Sequence, residues 1–220
     1  MRDLNQLILN FDYEQNFKDQ DFYVSKSNYY PFQLINSWPK WEKNFLNLYG
    51  EKFSGKTHLI NIFLKKFKGF KIDSRSINNK TLKEIKIHEN IVLENLFENI
   101  DENLLYTFLN IIEQDNKYLI ISSLKPIVNF NFKLNDLVSR SKNFLLTGIE
   151  NPDDNLMFAL ILKNLSDRQI SIDKKLIDYI IKRIDRSYSK IFDFIYKIDE
   201  ISLKKKKSIN FKIIKEVLGE

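Results

Sequence analysis

Cysteine is absent from the 220 residues. That excludes disulfides, thiol nucleophiles and cysteine-ligated zinc or iron–sulfur centres. Histidine is scarce: the chain has 2, His58 and His88, too few for a multi-histidine metal site. Glycine (5) and proline (4) are also few, so Asn, Asp, Ser and Lys make most of the turns, and any glycine present is informative. No apolar run approaches the ~18 residues that a membrane span needs. The N-terminus carries Asp3, Asn5 and Gln6 where a secretory signal would have a basic start and an apolar stretch. A cytoplasmic protein with no membrane partner is expected.

What is present is the balance of a globular chain, 43% hydrophobic and 29% charged. The net charge is +6, but Lys204, Lys205, Lys206 and Lys207 supply four of those charges in one run, and the rest is only +2. The basic balance is therefore partly local and does not define a nucleic-acid-binding face. The run reads as a solvated helix end or loop.

Hydrophobic spacing divides the chain into an arm over 1–20, an α/β core over 21–150 and a helical region over 151–220. Residues 29–38 read as a buried helix that stops before Pro39, with the aromatics from Tyr29 to Trp41 in the core. Residues 45–49, 70–72, 91–93, 118–121 and 144–146 are short apolar runs, and amphipathic stretches such as 56–67 and 102–113 lie between most of them. Continuous apolar strands alternating with helices imply a five-stranded parallel sheet covered on both faces. After Thr147 the strands stop, and 152–165, 174–185, 190–203 and 212–218 read as helices.

The chemistry is concentrated in Gly50-Glu51-Lys52-Phe53-Ser54-Gly55-Lys56-Thr57, which matches G-x-x-x-x-G-K-[ST] in full between a strand and a helix. The glycines let backbone N–H groups, including that of Ser54, curl around phosphate oxygens, and the helix N-terminus beginning near His58 adds partial positive charge. Lys56 is suited to the β- and γ-phosphates and Thr57 to Mg²⁺. A second acid should end a buried strand. Glu94, in Ile91-Val92-Leu93-Glu94-Asn95, is the candidate to hold Mg²⁺ through water. Asn95 cannot act as a base, because an amide takes no proton at neutral pH. The chain is thus expected to bind ADP or ATP better than it hydrolyses either.

These residues resemble the AAA+ P-loop NTPase core of the bacterial replication initiator DnaA, and more closely its relatives in the Hda family. The resemblance extends over Asp21 to Asn28, Trp38-Pro39-Lys40-Trp41, Leu137-Val138-Ser139-Arg140, Pro152-Asp153-Asp154, Arg168-Gln169-Ile170 and Arg186-Ser187. It implies an AAA+ core followed by a small helical lid, with Arg140 as an arginine finger that acts in trans on a neighbour's nucleotide. It places Lys190 where the initiator has its lid arginine, which keeps charge but loses the bidentate fork. Leu124 stands where the family often has an acid, leaving Ser122 or Ser123 as weak contacts to a nucleophilic water.

The chain ends at Glu220, just after the lid helices, so the initiator's helix-turn-helix domain is not expected. Gln6-Leu7-Ile8-Leu9-Asn10-Phe11 resembles the peptide by which replication proteins dock on the β sliding clamp of DNA polymerase III. Gln6 and Leu7 would sit at the pocket, with Leu9 and Phe11 in its apolar groove. The resemblance therefore implies a negative regulator of replication initiation, at best a weak ATPase, that meets DNA through the clamp and stimulates ATP hydrolysis by DnaA. A homodimer is one assembly it allows. Two other readings stay open: an AAA+ adaptor that binds DNA directly, and a small P-loop kinase.

Overall fold

The computed structural model describes residues 22–205 and 209–220. The clamp motif at Gln6, Leu7, Leu9 and Phe11 lies outside the described residues, as do Lys206 and Lys207 of the lysine run.

Five strands form one parallel sheet: β1 (Phe45–Gly50), β2 (Phe70–Asp73), β3 (Asn90–Leu96), β4 (Tyr118–Ser123) and β5 (Leu145–Ile149), in the order β2-β3-β4-β1-β5. Side chains alternate between its faces. On one face, α1 (Tyr29–Asn36) and α2 (Lys56–Phe67) bury Leu46, Leu48, Val92 and Ile120. On the other, α3 (Asn79–Glu84), α4 (Glu102–Gln114) and α5 (Asn135–Ser141) cover Ile91, Leu93, Leu119 and Ile121. Each such aliphatic side chain contributes ~1.5–3 kcal/mol through burial. Double coverage explains why the strands read as unbroken apolar runs rather than alternating ones.

β1 lies between β4 and β5, and its Asn47 is 0% exposed. Asn47 donates to the Ile121 carbonyl (3.2 Å) and Ser123 Oγ (2.9 Å) and accepts from the Ile127 amide (2.8 Å). A buried amide with its bonds met fixes how β1 and β4 end together, and the end of β1 is where the glycine-rich loop begins.

α3 and α5 were not expected. They are too short, at 6 and 7 residues, to establish a helical period in sequence. α3 is instead held by a capping box in which Asn78 and Thr81 exchange hydrogen bonds. α1 stops at Asn36, and its aromatic cluster divides: Trp41 is buried, whereas Tyr29 and Tyr30 are 56% and 61% exposed and are not core. They stand on the outer side of a helix whose inner face is Pro31 and Ile35.

Beyond the sheet come α6 (Asp154–Asp167), α7 (Lys174–Ile181), α8 (Tyr188–Lys205) and α9 (Phe211–Leu218). They build a core of their own around Met157, Ile161, Ile177, Ile191, Ile195 and Ile214. Asp153 caps α6 by accepting from the Leu156 amide (2.8 Å). Leu156 and Tyr188 leave this helical core and bury beside Ile35 and Ile149, so the lid is docked on the α/β body. Among the described residues no helix is long and apolar enough to cross a membrane.

Candidate nucleotide-binding site

The loop from Gly50 to Gly55 lies at the carboxyl end of β1, the rim where parallel α/β sheets bind ligands. Gly55 precedes α2 with φ 96°, a left-handed conformation that glycine adopts without steric cost. A Cβ there would stand 3.2 Å from the Phe22 ring. Lys56 folds back on the loop, and its Nζ donates to the carbonyls of Gly50 (2.7 Å) and Glu51 (2.8 Å). Burial pushes its pKa down to about 8, with the Glu51 charge opposing the shift. Thr57 follows, half-buried, in the first turn of α2. Ser54 is 4% exposed and its hydroxyl has no partner among the described residues. His58, the next residue of that α2 turn, is buried and packs edge-on against Phe22, with ring centres 5.2 Å apart. Its position one residue after Thr57 turns it toward the helix's packed side.

The loop also touches the lid. Glu51 accepts from Ser187 Oγ (2.6 Å), the Tyr188 amide (2.8 Å), the Ser189 amide (3.2 Å) and Ser189 Oγ. Burial alone would raise the Glu51 pKa, but these hydrogen bonds outweigh it and hold the carboxyl below its ordinary value. Phe53, at φ 67°, packs on Phe192 of α8 with ring centres 4.8 Å apart. Tyr188 donates its hydroxyl to the Glu150 carbonyl (3.1 Å). Its pKa is pushed up to about 12 by burial; a hydrogen bond with Ser27 works against that, and the charges of Asp153 and Glu51 add to it.

Glu94 is buried near the end of β3. One carboxylate oxygen is 3.3 Å from Lys71 Nζ of β2, and the other is buried without a partner among the described residues. The Glu94 carboxylate oxygen and the Thr57 hydroxyl are each hard oxygen donors of the type Mg²⁺ takes. Asn95 turns away at φ 57°, where the β3–β4 register shifts. Its side-chain amide donates to Asp73 Oδ2 (2.6 Å), and its N–H donates to Ser122 Oγ (3.0 Å). Ser122 and Ser123 are both already engaged: Ser123 accepts from Asn47 and donates to the Lys125 carbonyl (2.7 Å). Leu124 is 67% exposed.

Arg140 occupies the last turn of α5. Its guanidinium lies over the Tyr106 ring (5.2 Å), donates to Asn110 Oδ1 (2.5 Å) and pairs with Glu113. With Lys43, Phe45, Lys117 and Asn143 it lines a surface cavity of about 330 Å³. Phe45 opens β1, so this cavity is at the rim opposite the glycine-rich loop. The 6 residues of β1 separate the two by roughly 20 Å at ~3.3 Å per residue.

Residues 153–218 match the family model described as "Hda, lid domain". The chain is 26% identical over 201 residues to the chromosomal replication initiator protein DnaA of Thermoanaerobacter sp. (strain X514), a match covering 80% of this chain and 45% of that protein. It thus spans less than half the length of the curated relatives it matches. Domain III of the Thermotoga maritima replication initiation protein DnaA superposes with a TM-score of 0.72 at 16% identity, covering 93% of this chain and 96% of that one. The DnaA chain from Aquifex aeolicus bound to AMPPCP superposes at 0.66 with 18% identity, over 87% of this chain and 66% of that one. The Thermotoga maritima RuvB branch migration motor gives 0.58 at 14% identity, over 80% and 61%. The chain thus shares the fold of DnaA domain III, is similar in sequence to DnaA over most of its length, and carries an Hda-like lid over residues 153–218.

The lid meets the loop through the first turn of α8 and the residue before it. Lys190 is exposed, and Ser187, Tyr188 and Ser189 are the residues that face the loop. Glu51 occupies a variable position of the loop motif, which therefore does not mark it. Its signal was present in the Ser-Tyr-Ser of 187–189, a helix start rich in hydroxyl donors.

Proposed function

We propose that this chain is a nucleotide-binding regulator of replication initiation that acts on DnaA. The observation that carries the reading is a complete phosphate loop on β1 of a DnaA-like core, closed by an Hda-like lid. In this reading Gly50, Ser54, Gly55, Lys56 and Thr57 receive the phosphates of ADP or ATP. Thr57 directly, and Glu94 through water, would hold Mg²⁺, which supplies positive charge to the phosphates. Asn95 lacks a proton-accepting group and Ser122 is already bonded, so the chain's own hydrolysis is slow. Arg140, on the opposite rim, enters the nucleotide site of ATP-bound DnaA. The arm at 6–11 docks on the β sliding clamp and raises the local concentration of a weak partner.

The test is turnover of ATP by DnaA in the presence of clamp loaded on DNA. Adding the chain should accelerate turnover, and omitting the clamp should reduce that effect. A fast stand-alone ATPase, indifferent to clamp and to DnaA, would overturn the proposal.

Lys56 gives a pH signature. In the free protein its folded pKa, about 8, lies below the ordinary 10.5, so the ammonium is lost as pH rises through about 8. The unfolded chain keeps that proton up to its higher value. The cost of burying the charge therefore weighs fully on stability below about pH 8 and is relieved as pH climbs toward 10.5. Phosphate binding needs the charged form, so nucleotide affinity should decline between pH 7.5 and 9.5 by calorimetric titration. A flat profile would exclude Lys56 as the phosphate cation.

A further inference from the structure

We infer that Glu51 is a built-in anion that occupies the N-terminus of α8 and latches the lid to the phosphate loop without nucleotide. The first amides of a helix have no partner within it and carry partial positive charge. α8 begins at Tyr188, beside a loop made to receive phosphate. Its first two amides and the hydroxyls of Ser187 and Ser189 all donate to one carboxylate, and that carboxylate belongs to the loop. Glu51 and Ser187 are 136 positions apart in sequence, so the contact joins the two ends of the fold. Charge-assisted hydrogen bonds of this kind are about twice as strong as neutral ones.

Two neighbouring contacts act in the same direction. Phe53 packs on Phe192 from the next position but one of the loop, and the Tyr188 hydroxyl holds the Glu150 carbonyl. The lid is therefore tied through the loop itself rather than only through a side of the sheet. An arriving phosphate finds the α8 donors already satisfied and meets a carboxylate of its own sign. Binding nucleotide and holding the latch consequently oppose each other. The second statement rests on the reading of residues 50–57 as a nucleotide site; the latch itself does not.

The experiment is hydrogen exchange on the full chain without nucleotide, comparing wild type, Glu51→Gln and Glu51→Asp. In wild type the Tyr188 and Ser189 amides should be protected. Glu51→Gln, which keeps the shape and loses the charge, should speed their exchange on the order of tenfold. Glu51→Asp, one methylene shorter, should do the same, while amides inside α8 around Ile195 stay unchanged. Unaltered exchange at Tyr188 and Ser189 in both variants would overturn the latch. Calorimetry with ATP separates the two ideas. Tighter binding by Glu51→Gln than by wild type is expected, and equal binding would overturn the opposition between latch and nucleotide. If neither protein binds ATP, the nucleotide reading and that opposition fail together, and the exchange data still decide the latch.

Discussion

Replacing Arg140 with alanine should abolish the stimulation of ATP turnover by DnaA while leaving clamp binding intact. An arginine supplied across an interface stabilises charge on the transferring phosphoryl group and is worth roughly 10³–10⁵ in rate. The proposal assigns that role to Arg140. It ends α5, its guanidinium is held over Tyr106, and it opens on a surface cavity remote from the chain's own loop. It is not idle meanwhile, since Glu113 and Asn110 hold it. To serve a neighbour it must exchange those partners for phosphate, which bears more charge than one carboxylate. Arg140→Lys should rescue little, because a single ammonium cannot make the paired contact. The measurement is single-turnover hydrolysis by DnaA with loaded clamp, alongside a clamp pull-down. Stimulation that survives Arg140→Ala would end the assignment.

The second large effect is expected from Lys56→Ala. The ammonium would make charge-assisted hydrogen bonds to phosphate, each worth ~1.5–3 kcal/mol. Losing two should weaken nucleotide binding on the order of 10²–10⁴-fold. The fold should survive, because Lys56 bonds two loop carbonyls and is buried at a cost in the free protein. Calorimetric titration with ADP and ATP, checked by circular dichroism, reads both parts. Undiminished affinity in a folded variant would remove residues 50–57 from the site.

How far these features could be read from sequence depends on their range. The sheet was legible because strands buried on both faces are continuous apolar runs, as in Leu119-Ile120-Ile121. The phosphate loop was legible because its chemistry is local, with every element within eight positions. α3 and α5 were not, since less than two turns of helix leaves no period. The partners of Asn95 and Ser122 were hidden for another reason: they are set by a register irregularity between strands, which no local pattern records. Glu51 shows the same limit more sharply. It stands at an unspecified position of the loop motif, and the groups that bind its carboxylate lie 136 or more positions further along the chain. The start of α8 at Tyr188, two residues before the apolar pattern suggested, follows from that distant cap.

The parallel sheet has one further consequence. It gives the molecule a front and a back: the carboxyl ends of the strands carry the loop, and the amino ends carry Arg140. Within one chain Arg140 is therefore remote from the loop. A contact that joins back to front is heterologous, so copying it produces a row with two unlike ends rather than a sealed pair. A symmetric twofold dimer built on either face would instead block that face in both members, and such a pair would be a storage form.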